Sequence, residues 1–143
     1  MSSFSERLKE LIKYNNLSKK EVSDFLGLNN DTKIYAWLNN KNTPRFQTIV
    51  TLANLFKCSI DYLLGITDNF NEVKPNNTPD FDVQLRKILK ASKISQYKLL
   101  KDKVVSQGHL NSWLKDKMLP STENIIKLAD YLNISIDYLV GRE

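Results

Sequence analysis

The sequence predicts an all-α protein made of two tandem five-helix domains, and three observations carry that prediction. The chain repeats itself: IYAWLNNKNTPRFQTIVTLANLFKCSIDYLLG (Ile34–Gly65) returns 76 positions later as LNSWLKDKMLPSTENIIKLADYLNISIDYLVG (Leu110–Gly141). Trp37/Trp113, Lys41/Lys117, Pro44/Pro120 and the closing Ser-Ile-Asp-Tyr-Leu run are identical between the two. Upstream the match persists at an offset of 77, through Phe4/Phe81, Leu8/Leu85 and Ser18/Ser95. A repeat of about sixty residues is too long for a solenoid unit and long enough for a small domain. The second observation is that apolar residues recur at helical spacing between turn-forming residues. The third is that no segment alternates with period two for long enough to make a strand.

The helices follow in order. Phe4, Leu8, Leu11 and Ile12 fall at i, i+4, i+7 and i+8, the stripe of an amphipathic helix, and Phe81, Leu85, Ile88 and Leu89 repeat it. Ser3 with Glu6 predicts a capping box at its start, and Ser18 with Glu21 predicts another for a helix running to about Leu26. Gly27 ends that helix and permits a sharp turn. A third helix carries Ile34 and Trp37 inward. After the turn around Asn39–Pro44, a fourth buries Ile49, Leu52, Ala53 and Phe56. Ser59 caps a short fifth helix containing Ile60, Leu63 and Leu64, with Asp61 in its first turn. Between the repeats, Ile66–Asp80 (ITDNFNEVKPNNTPD) reads as a connector from its Asn and Pro content. We therefore expect a first domain over 1–67, a linker over 68–79 and a second domain over 80–143. Fully extended, the fifteen connector residues would reach about 50 Å, and their composition leaves open two courses, a mobile one and one that packs through Phe70 and Val73.

Composition narrows the function. Of the 143 residues, 41% are apolar, enough for two compact cores. No apolar run approaches a membrane span and no signal peptide opens the chain, so the expectation is a soluble, cytoplasmic protein. The single cysteine, Cys58, aligns with Ile134 and reads as a buried apolar residue. With one His, one Cys and no glycine-rich loop, the chain offers no nucleophile–base pair and no metal cluster. We expect neither an enzyme nor a cofactor. Net charge is +5, with a pI near 9.2, a basic bias that suits an anionic partner.

Two short helices joined by a tight turn inside a helical domain form a helix-turn-helix, whose second helix can lie in the major groove of DNA. LSKKEVSDFLGLNNDTKIYAWLNNKNTP in the first repeat and ISQYKLLKDKVVSQGHLNSWLKDKMLP in the second carry this pattern. Here the sequence resembles the Cro/phage-repressor-type (XRE-type) helix-turn-helix regulators, over nearly the whole chain apart from the connector. The resemblance implies two lambda-repressor-like domains and double-stranded DNA as partner.

It further implies that residues just ahead of the inward Trp face the groove. In the first repeat these are Asp31, Thr32, Lys33, Tyr35 and Ala36, with Asn30 and Asn40 nearby. In the second they are Gln107, Gly108, His109, Asn111 and Ser112, with Lys115 nearby. Gln and Asn can pair bidentately with adenine, Lys can reach guanine, and Ala can touch a thymine methyl. Lys19 and Gln96 match positions where the family contacts phosphate, and Lys41, Arg45 and Lys117 flank the end of the reading helix as further phosphate contacts. Asp31 repels phosphate and is expected to serve as a helix cap if it does not face the groove.

Two departures from the family pattern stand out. Gly27 to Trp37 spans ten positions and Val104 to Trp113 spans nine, which places an extra residue in or near the first turn. The second repeat also lacks the turn glycine and carries Lys103 where an inward apolar residue is expected, so either its second helix is slightly shifted, with Val104 and Val105 filling the core, or its turn is irregular. The expected function is that of a sequence-specific transcriptional regulator, a repressor of bacterial or phage origin. The alternative is a protein-interaction module on the same scaffold. A homodimer and a protein partner both remain open.

Overall fold

The structure, a computed structural model, describes residues 3–74 and 78–143. Its contacts divide into two compact units, Met1–Pro75 and Asn76–Glu143. The first contains α1 (Phe4–Tyr14), α2 (Lys19–Phe25), α3 (Thr32–Leu38), α4 (Phe46–Phe56) and α5 (Ile60–Leu63). The second contains α6 (Phe81–Ser92), α7 (Gln96–Lys101), α8 (Gln107–Leu114), α9 (Thr122–Leu132) and α10 (Ile136–Val140). Among the described residues the only β pairing is an isolated bridge between Cys58 and Glu72, so the all-α expectation holds.

Each core is made by the residues whose spacing predicted it. Leu8, Ile34, Leu52, Ile60 and Leu63 are fully buried in the first domain, and Leu85, Leu110, Leu128, Ile136 and Leu139 in the second. Burying each such side chain contributes about 1.5–3 kcal/mol. Trp37 and Trp113 are the largest pieces of the two cores and are almost entirely enclosed. Cys58 is buried with them.

Serine side chains begin most of the helices. The hydroxyl oxygens of Ser3, Ser18, Ser59, Ser95, Ser106, Ser121 and Ser135 each accept from the backbone N–H three residues on. Among the described residues only Ser18 with Glu21 forms the full reciprocal box. At α1 the Glu6 carboxylate instead accepts from the Ser3 hydroxyl, at 3.2 Å, so the second expected box is half built. In the first domain α3 and α4 start without a side-chain cap, on Asp31 and Arg45.

The turn between the second and third helices corrects the expected register. Gly27 and Lys103 both hold left-handed backbone, at φ +72° and +57°. They lie 76 positions apart, the same offset as Trp37 and Trp113. The capping serines Ser18 and Ser95 are 77 apart. The extra residue of the first domain therefore sits inside the second helix, not in the turn: α2 has seven residues and α7 has six. Val22 and Ser23 are both buried on α2, whereas Leu99 alone does that work on α7. Lys103 occupies the glycine position at a cost of about 1 kcal/mol in backbone strain, and Val104 and Val105 follow it into the core.

Residues after α5 fold back onto the first domain instead of leaving it. Arg7, buried on α1, donates to the Thr67 carbonyl at 3.0 Å and to Asp68 at 2.7 Å, and its guanidinium stacks 4.0 Å over the Tyr62 ring. Phe70 meets Tyr62 edge-on with centroids 5.3 Å apart, and the Val73 N–H donates to the Lys57 carbonyl at 3.1 Å. The second domain closes differently. Gln84, in the place of Arg7, donates to the Tyr138 carbonyl at 2.8 Å. Arg142 pairs with Asp137, both buried. Gly141 is required there: its φ is +83°, and a Cβ would lie 2.5 Å from Pro79 Cδ.

Candidate nucleic-acid interface

In the first domain the exposed face of α3 is fixed by its buried one. Ile34 and Trp37 are held in the core, so Thr32, Lys33 and Tyr35 are left exposed and Ala36 half-buried. Lys33 and Arg45 meet at a polar depression of about 600 Å³, shared with Asn42, Thr43 and Thr48 and floored by Leu28 and Trp37. Lys19 lies on the opposite side of α3, with its ammonium 5.1 Å from the centre of the Tyr35 ring. At the start of α2 the capping box already engages the Ser18 and Glu21 N–H groups, so an anion met there would find the Lys19 side chain and the N–H groups of Lys19 and Lys20.

Arg45 breaks a local rule. It is the residue immediately before α4, has extended backbone, and makes no cap bond. Its counterpart Ser121 does cap α9. A cation at a helix N-terminus opposes the helix dipole, and forgoing a serine cap costs about 1 kcal/mol. Departures of this kind concentrate where function asks for them.

Asn30 and Asp31 exchange their expected roles. The Asp31 side chain forms no cap bond, whereas the Asn30 Oδ1 accepts from the Thr32 N–H at 3.0 Å. The Asn30 carbonyl accepts from the buried Ser23 hydroxyl, also at 3.0 Å. Asn30 thus holds the turn, and Asp31 sits half-exposed beside it. Asn40 and Lys41 lie exposed just past α3, Asn40 with left-handed backbone.

The second domain presents a different surface. Ser106 caps α8, which begins one residue earlier in register than α3. Gln107 Nε2 donates to Asn111 Oδ1 at 3.0 Å, and the Ser112 hydroxyl donates to the Gly108 carbonyl at 3.0 Å. The exposed His109 ring stacks parallel on Trp113 with centroids 5.9 Å apart. Gln96 is exposed at the start of α7, and Lys115 and Lys117 are exposed past α8. Lys98, Asp102 and Tyr131 form a chain of contacts: Lys98 pairs with Asp102 at 3.1 Å, and the Tyr131 hydroxyl donates to Asp102 at 2.6 Å. Tyr131 first, and Lys98 after it, hold the Asp102 carboxyl below its ordinary range. Where the first domain has Asn42 and Thr43, the second has Met118 and Leu119, both exposed.

Sequence reasoning passed over Asn42 and Thr43 because they sat inside a stretch read only as a turn. Their signal was position: they separate the reading helix from Arg45.

A family model described as a helix-turn-helix domain matches residues 5–67, and a second, described as helix-turn-helix, matches residues 85–139. The chain belongs to the XRE-type helix-turn-helix family, carried twice. Domains of this type are those of DNA-binding regulators and not of enzymes. Comparison with curated proteins and with solved structures returns no match. No helix of the described residues is long and apolar enough to cross a membrane.

Proposed function

We propose that this tandem helix-turn-helix protein is a sequence-specific transcriptional regulator, a cytoplasmic repressor of bacterial or phage origin that acts by occupying an operator. The observation that carries the reading is the α3 face of the first domain. Lys33 and Tyr35 point outward from a rigid core, and Arg45 occupies a helix start where it weakens the fold. In this reading Thr32, Lys33, Tyr35 and Ala36 meet base edges while Lys19, Lys41 and Arg45 hold phosphates. The second domain offers Gln107 and Asn111 as one pre-ordered amide pair, with donors and acceptors suited to adenine. Because the two faces share almost no residue, a single chain would prefer two unlike half-sites, helped by the raised effective concentration of a tethered partner.

A second reading applies to the second domain alone. Met118 and Leu119 replace the polar pair of the first domain at the edge of the reading helix. Exposed apolar residues there favour a protein contact, including a second copy of the chain, over phosphate.

Selection of duplexes from a random DNA library, repeated with Lys33→Ala and with Gln107→Ala, separates these. An asymmetric motif altered by both substitutions supports two reading domains. A palindrome altered only by Lys33→Ala assigns the second domain to dimerisation. No enrichment even at low salt would overturn the regulator reading.

A further inference from the structure

On the side of α3 away from Arg45 lies a second groove in the first domain, of about 350 Å³. Ile12 and Leu38 form its floor, Tyr35 one wall, and Lys9, Lys13 and Lys19 its rim. Lys9 and Lys13 are both exposed, one helical turn apart on α1. Neither pairs with the acid three positions before it: Glu6 bonds Ser3, and Glu10 lies 3.9 Å from Arg7. Among the described residues the rim is therefore three ammonium groups with no carboxylate partner, on an amphipathic surface. Like charges held together without an internal counter-ion favour an external polyanion.

The second domain fills the corresponding place from within. Arg86 stands where Lys9 does, and it donates to the Leu114 carbonyl at 3.1 Å. In the first domain the matching Leu38 carbonyl is taken by the Ser5 hydroxyl at 2.7 Å, which leaves the lysines of α1 uncommitted to the helix end.

We propose that this groove takes the sugar–phosphate backbone of the duplex that α3 reads, with Lys9 and Lys13 as phosphate contacts lying outside the helix-turn-helix itself. The charge rim meets phosphate oxygens, and the Ile12–Leu38 floor with the Tyr35 ring suits the apolar edge of a deoxyribose. The proposal rests on the regulator reading, and its test is built so that the two fail separately.

The full chain is titrated with the duplex enriched by selection, from about 50 to 200 mM salt, and the slope of log affinity against log salt is read. Lys9→Gln/Lys13→Gln should flatten that slope by about two and leave the enriched sequence unchanged, because phosphate contacts carry no sequence information. The exposed pair Lys74→Gln/Lys127→Gln removes the same charge elsewhere and should leave the slope as it was. An unchanged slope in the first variant, or an equal loss in the second, overturns the groove while leaving the regulator reading intact. Absence of salt-dependent binding by the unaltered chain overturns both.

Discussion

The two domains share a Trp in the core, a left-handed turn residue before the reading helix and a closing Ser-Ile-Asp-Tyr-Leu helix, yet they secure their edges in opposite ways. The first lays Arg7 across Tyr62 and ties down the chain that follows, through Asp68 and Phe70. The second closes on its own buried pair, Arg142 with Asp137. The first starts α3 and α4 on Asp31 and Arg45, neither of which makes a side-chain cap bond, whereas the second caps α8 and α9 with serine. The polar edge and the uncapped helix starts fall on the same side of the first domain, around Lys33 and Arg45. Duplication kept the frame and let the surfaces and fastenings diverge.

The largest expected effect comes from breaking a fastening. Arg142→Ala removes the buried guanidinium paired with Asp137 and should destabilise the second domain by about 3–5 kcal/mol. Ile66→Ala, at the matching and exposed position of the first domain, should cost under about 1 kcal/mol. Amide exchange read separately over 4–66 and 81–143 checks both, and similar losses in the two domains would erase the contrast.

Phe70→Ala sharpens the comparison from the other side. Loss of its edge contact with Tyr62 should cost the first domain about 1–2 kcal/mol and speed exchange at the Val73 amide. Exchange in the second domain should not change.

Arg45→Ser gives the first domain the cap that the second already has. It should stabilise the first domain by about 1 kcal/mol while flattening the salt dependence of DNA binding by about one. Thermal unfolding and salt titration of the same variant decide it. A gain in stability with unaltered binding would remove Arg45 from the interface.

The smallest effect belongs to Asp102. Its folded-state pKa lies below its unfolded one, so its contribution is present at neutral pH and disappears as pH falls through the carboxylate range, below about 4. Asp102→Asn should therefore be slightly less stable than the parent at pH 7, and the gap should narrow as pH falls below about 4. Denaturant midpoints followed from pH 7 downward test this, and a gap that stays constant until the carboxylate is fully protonated would mean that Asp102 acts through shape and not charge.

The helices were legible because burial and period coincide: Ile34 and Trp37, or Ile49, Leu52 and Phe56, can share a face in one way only. What escaped depended on backbone conformation. Gly27 seemed to match Val104 because lysine rarely holds left-handed backbone, yet Lys103 does hold it. Asn30 and Asp31 could each have capped α3, and only geometry separates an i+2 acceptor from an i+3 one. The fold-back after α5 was one of two courses the connector left open, through Phe70 and Val73; what decided it was Arg7, a charged residue at a core position of α1 whose partner lies sixty residues away. Local pattern holds no record of such a contact. The candidate reading faces were legible as positions next to the Trp, but their internal bonds, such as Gln107 to Asn111, were not.

The extra residue in α2 has a consequence for helical phase. Each residue advances an α-helix by about 100° and 1.5 Å. Counted back from the left-handed turn, Lys19 opens α2 eight positions away, while Gln96 opens α7 only seven away. With the two turns superimposed, the opening side chains of the two helices leave their axes more than a quarter-turn apart. Gln96→Lys would therefore not recreate Lys19 in the second domain, because its charge would point around the helix from where the first domain sends its own.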